Sequence, residues 1–163
     1  MTFRYTVLAM MSLTAVFSAT AEEAIEHSPR TEWFYKAKWG IFTHYLAGLQ
    51  APCASVEEWN KQVDSFDVHA LADTVASVGA KYYIITLGQN SGYYISPNST
   101  YDYYVGISPS KCSRRDLVTE LYDALHAKGI PLMVYLPSGA PDQDPVAMKA
   151  LEWKNNPQPT DPD

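Results

Sequence analysis

Ile41-Phe42-Thr43-His44-Tyr45-Leu46-Ala47-Gly48 is the stretch on which the fold turns. Its first five residues are rich in β-branched and aromatic side chains, which suit a pleated, buried strand. The exit from that strand separates two architectures. An open nucleotide-binding sheet leaves its first strand through a glycine-rich phosphate loop; this one runs into His44-Tyr45-Leu46-Ala47 before a single glycine. Two more runs of the same kind occur later, Tyr82-Tyr83-Ile84-Ile85-Thr86 and Pro131-Leu132-Met133-Val134-Tyr135. Helical signals separate them, so the order reads β-α-β-α-β-α. Buried strands alternating with helices predict a parallel sheet, as a barrel or an open doubly wound layer. Without a phosphate loop the barrel is favoured. The expected fold is α/β, a partial (β/α)8 TIM barrel of about three βα units.

The helical signals are local and chemical. Glu32 to Lys38 carries Trp33 and Phe34, with Gly40 expected at its end, and a helical turn is expected near Glu57 to Lys61. Asp67 is a strong N-cap ahead of Leu71, Val75 and Val78 on one face, and Gly79 suits a left-handed C-terminal position. Ser113 and Asp116 read as a capping box opening the stripe Leu117, Leu121, Leu125, which Gly129 stops. Asp144-Pro145 opens a last helix, expected to end near Lys154.

The chain ends read differently. Arg4, the apolar run Val7 to Phe17 and Ala19-Thr20-Ala21 form a secretory signal, too short to cross a bilayer, with cleavage expected after Ala21. The expected organisation is a signal at 1–21, a barrel portion at 22–155 and a polar, Pro-rich tail at 156–163. Such a signal implies export to a periplasmic or extracellular compartment, lysosomal or secreted in a eukaryote. In an oxidising compartment Cys53 and Cys112 are candidates for one disulfide. Their spacing fits no metal motif, and no cofactor is expected. Asn98-Ser99-Thr100 is a glycosylation acceptor pattern.

A net charge of −6 with no basic cluster argues against nucleic acid or an anionic membrane as partner. Twelve Tyr and four Trp suit a cleft that stacks on sugar rings, and suit a core equally well. In a barrel, function gathers at the C-terminal ends of strands. Those ends here are His44, then Gln89-Asn90-Ser91, then Tyr135 to Ser138. Side-chain amides donate and accept, matching sugar hydroxyls.

Trp33-Phe34-Tyr35-Lys36-Ala37-Lys38-Trp39-Gly40-Ile41-Phe42-Thr43-His44 resembles the opening of the α-L-fucosidase catalytic domain, glycoside hydrolase family 29, where an "AKFGIFIHWG" stretch forms the first barrel strand. The likeness continues through Glu58-Trp59, Phe66-Asp67, Gly79-Ala80-Lys81-Tyr82, Arg115-Asp116-Leu117-Val118 and Gly129-Ile130, across residues 31 to 139. It implies sugar contacts for His44, Glu58, Trp59 and Tyr135, and a glycan or glycoside as partner. It also implies a retaining mechanism through two carboxyl groups in full-length relatives. The family's "KHHDGF" after the second strand is replaced by Gly88-Gln89-Asn90-Ser91-Gly92-Tyr93, its "HWG" by His44-Tyr45-Leu46, and a "YYSG"-like turn by Tyr135-Leu136-Pro137-Ser138-Gly139. Gln89 and Asn90 thus stand where the resemblance has paired histidines. The departures concentrate in the pocket, which suggests a divergent branch whose sugar is fucose or a related one. The nucleophile of the resembled family ends a fourth strand, so no catalytic residue is assigned here. The expectation is an inactive fragment of a fucosidase-like enzyme; the alternative is a non-catalytic carbohydrate-binding protein on the same scaffold.

Overall fold

A computed structural model describes residues 28–153; the expected signal at 1–21 and tail at 156–163 lie outside the described residues. In chain order the elements are α1 Glu32–Ala37, β1 Ile41–Thr43, α2 Val56–Asp64, α3 Val68–Ser77, β2 Tyr83–Thr86, α4 Ser99–Val105, α5 Leu117–His126, β3 Leu132–Tyr135 and α6 Pro145–Ala150. The strands form one parallel sheet in the order β1-β2-β3. Ile41, Tyr83 and Leu132 align across it, as do Phe42, Ile84 and Met133, then Thr43, Ile85 and Val134.

This register sorts the sheet into two faces, because side chains alternate along a strand. Tyr83 and Ile85 are buried on one face against α3 and α5. From α3 come Val68, Ala72 and Val75; from α5 come Leu117, Leu121 and Leu125, all three at 0% exposure. Each such leucine contributes about 1.5–3 kcal/mol by leaving water. The two helices also pack on each other, so both crossovers lie on the same side of the sheet. On the opposite face Phe42 and Tyr135 stay 46% and 37% exposed.

Capping explains where the helices begin. Asp67 Oδ1 accepts from Ala70 N–H at 2.9 Å, as expected, and Asp116 Oδ1 accepts from Thr119 N–H at 3.0 Å. Ser113 is no part of that cap: its hydroxyl donates to Arg115 O at 2.7 Å inside the preceding turn. Arg115 instead finishes α2, its Nη1 donating to the carbonyls of Val63, Asp64 and Phe66, while its other nitrogens grip Glu120. The Arg115-Asp116-Leu117 run is therefore two caps and a core residue. Gly79 and Gly129 follow α3 and α5 at φ 75° and 69°.

Several expectations are corrected. Helix α1 ends at Ala37, with Lys38 at φ 69°, before Gly40; Gly40 is instead pressed against the Tyr82 ring, where a Cβ would collide. Val78 is 51% exposed and the buried stripe of α3 is completed by Ala72 and Val68, because the helix turns Val78 away as its C-cap. The turn near Glu57 is a full helix, α2, capped by Ser55. Helix α4 is an addition to the expected order of elements, capped by Asn98 accepting from Tyr101 N–H at 2.9 Å. Helix α6 stops at Ala150. Val134 on β3 is 48% exposed, since among the described residues no strand covers that edge of the sheet.

Candidate functional site

Loops that follow the three strands meet, but of the expected strand-end residues only Gln89, Asn90 and Ser91 line the cleft. Leu46 and Ala47 after β1, Gln89, Asn90 and Ser91 after β2, and Gln143 after β3 line one cleft of about 260 Å³. Each loop is held by identifiable bonds. Gln50 clasps the turn after β1, its Nε2 donating to His44 O at 2.7 Å and its Oε1 accepting from Leu46 N–H at 2.9 Å. Buried Thr86, at the end of β2, accepts from Tyr45 N–H at 2.9 Å. Gly92 N–H donates to Gln89 O at 3.0 Å, closing the turn that presents Asn90 and Ser91. Gln143 N–H donates to Asn90 O at 2.9 Å and ties the β3 loop to the β2 loop.

An ion pair lies beneath these loops. Lys111 Nζ stands 2.8 Å from Asp144 Oδ2, with the side chains 23% and 2% exposed. Lys111 also donates to Ser91 O at 3.2 Å and sits over the Tyr93 ring at 5.0 Å. Asp144 Oδ1 accepts from Val146 and Ala147 N–H at 3.0 and 3.2 Å and so caps α6. Gly92 is required against it: its φ is +77° and a Cβ there would come within 2.7 Å of Asp144 Oδ2. This pair fastens the loops after β2 and β3 to the segment carrying Lys111.

The residues expected to contact a sugar fall into separate groups. Gln89 and Asn90 line the cleft. His44 and Tyr135 form an aromatic cluster with Phe42 on the open face of the sheet, with centroids 4.7 Å apart for Phe42 and His44 and 5.2 Å for Phe42 and Tyr135. His44 and Tyr135 meet edge to face at 6.1 Å. Glu58 and Trp59 belong to neither group. Glu58 Oε2 accepts from Ala54 N–H at 2.6 Å while its own N–H donates to Ser55 Oγ, so it serves the start of α2. Trp59 is 0% exposed, donates from Nε1 to Tyr94 O at 3.0 Å, and packs on Tyr45 and Tyr93. Here it is core, because the amphipathic face of α2 turns inward with Val63. Gln143 was not among the expected residues; the polar loop preceding Asp144-Pro145 was the signal available.

No disulfide joins the cysteines: both thiols are free. Each is engaged within its own loop, Cys53 with Ser55 O at 3.6 Å and Cys112 beside Ser110 and Asp102. Burial pushes the Cys112 thiol up to about 11, and burial followed by the charge of Glu58 raises that of Cys53. Among the described residues no three His, Cys, Asp or Glu side chains gather as a metal site.

No family model and no curated protein matches the sequence. Solved structures do match in fold. A bacterial fucosidase with a monovalent iminocyclitol inhibitor superposes with a TM-score of 0.51 at 20% identity, over 78% of this chain and 36% of that one. A GH29 α-L-fucosidase of Bacteroides thetaiotaomicron, trapped as a covalent intermediate with 2-fluoro-fucosyl fluoride, gives the same four figures. A bacterial fucosidase with a phenyl-triazole pyrrolidine inhibitor gives 0.50 and 21%, over 78% and 35%. This chain thus shares the fold of part of GH29 α-L-fucosidases and spans little more than a third of their length.

Proposed function

We propose that the chain is the opening portion, at 22–155, of an α-L-fucosidase-like glycoside hydrolase barrel, acting on a terminal α-L-fucosyl or related glycoside and exported behind a signal at 1–21. The observation that carries this is the single cleft built from the loops after all three strands, the place where barrel enzymes hold their substrates. The sequential strand order, with both crossover helices on one face, supports a partial (β/α)8 barrel. The fold likeness to fucosidases supports a glycoside as the ligand.

A second reading has its own observation. No carboxylate lines the cleft among the described residues, whereas a retaining glycosidase needs two, about 5–5.5 Å apart. On this second reading the chain binds a sugar without cleaving it, as a non-catalytic carbohydrate-binding protein would. Saturation-transfer NMR with L-fucose and methyl α-L-fucoside, alongside release of nitrophenol from an aryl α-L-fucoside, tests both. Saturable binding with hydrolysis at background is expected. Absence of binding to any monosaccharide removes the carbohydrate reading, and turnover abolished by Glu58→Gln would show that the carboxylates of this chain suffice.

A further inference from the structure

The cleft holds a feature that neither the resemblance nor the fold likeness supplies. Its polar lining is three primary amides, Gln89, Asn90 and Gln143, with the Ser91 hydroxyl, and no lining side chain carries a charge. Among the described residues these amides make no side-chain hydrogen bond to the protein, although their backbones are bonded: Asn90 O to Gln143 N–H, Gln89 O to Gly92 N–H. Each primary amide offers two N–H donors and a carbonyl acceptor. Their capacity is thus free, converges from two loops, and is held in place by main-chain bonds that do not consume it. Beneath the loops Lys111 and Asp144 neutralise each other.

We propose that Gln143, opposite Gln89 and Asn90, completes an amide seat that selects an uncharged, polyhydroxylated ring over its anionic counterpart. This rests on the carbohydrate reading above and adds Gln143 to it as a determinant of specificity that favours neutral over acidic sugars. A ring hydroxyl both donates and accepts, which an amide can answer on either side. A carboxylate demands donors alone and a compensating cation, and Lys111 is already committed to Asp144 and Ser91.

Titration of the full chain with D-galactose, L-fucose and D-galacturonate, followed by ligand-observed NMR, tests this in wild type, Gln143→Ala, Asn90→Ala and His44→Ala. Gln143 is exposed and its side chain supports nothing else, so Gln143→Ala is expected to keep the wild-type circular dichroism. Affinity for the neutral sugars is expected to fall about five-fold in Gln143→Ala, the worth of one hydrogen bond, and galacturonate is expected to bind more weakly than galactose throughout. Sugar binding unchanged in Gln143→Ala and Asn90→Ala but lost in His44→Ala would overturn the amide seat and leave the carbohydrate reading standing. Galacturonate binding as tightly as galactose would overturn the selectivity. No binding by wild type would overturn both.

Discussion

Asp116 concentrates much of what one residue does for this fold. Its carboxylate caps α5 through Thr119 N–H, accepts from Thr119 Oγ1 at 2.8 Å, and accepts from Ser96 Oγ at 2.8 Å. Burial works against its charge, yet those bonds win and hold its pKa below the usual carboxylate value. A depressed pKa means stability that is present above the unfolded value of about 3.9 and lost as the pH falls through the folded one. Asp116→Ala should cost about 1 kcal/mol near neutrality, read as a lower urea midpoint, and the gap from wild type should hold down to about pH 5 and close only as the pH falls through the depressed folded pKa. The cysteines make a second prediction at this scale. With its thiol raised to about 11 and its side chain buried, Cys112 should resist thiol reagents at pH 8 until urea unfolds the chain, when two thiols per molecule should react without reductant. None reacting until a reductant is added would restore the disulfide.

Between elements, the Lys111–Asp144 pair joins the loop after β2 to the start of α6. Removing one partner of a buried pair strands the other charge. Lys111→Met should therefore destabilise toward the lower end of about 3–5 kcal/mol, since Lys111 keeps some exposure. Amide exchange of Ala147 and Gly92 should rise in step, and unchanged protection would show that the loops hold without the pair. Gly92→Ala forces a side chain into a left-handed backbone and against Asp144, at about 1–2 kcal/mol. Its effect should be smaller in a Lys111→Met background, because the two changes disturb one contact.

Over the whole molecule, one face of the sheet and both its edges, β1 and β3, remain open among the described residues. Tyr83 N–H donates to Pro131 O and Leu87 N–H to Tyr135 O, so alternate β3 residues turn toward β2. Leu132 and Val134 then direct their peptide groups outward, beside the exposed side chains of Val134, Tyr135 and Leu136. An apolar, unpaired edge is a template for association. The full chain should bind a hydrophobic dye and sediment with a concentration-dependent mass, and Val134→Lys with Leu136→Lys should reduce both. A dilute monomer without dye binding would show that the face is covered.

Residue patterns alone determined the helices and strands that carry a local signature. Asp67 before an apolar stripe, Leu117-Leu121-Leu125 at helical spacing, and the dense run Tyr83 to Thr86 each state their conformation within a few residues, because capping and burial periodicity are short-range. They also brought Gln89 and Asn90 to the strand ends where the cleft lies. Burial could not be read this way. Trp59 and Phe42 are both aromatic residues flanked by polar neighbours or strand, yet Trp59 is enclosed while Phe42 is 46% exposed. What separates them is which face α3 and α5 cover, a fact of packing between segments far apart in the chain. The Gln143–Asn90 bond and the Lys111–Asp144 pair join residues 53 and 33 positions apart, and no local pattern announces either. Local chemistry selects the elements; the side on which they meet decides whether a tyrosine, a tryptophan or an amide becomes core or cleft.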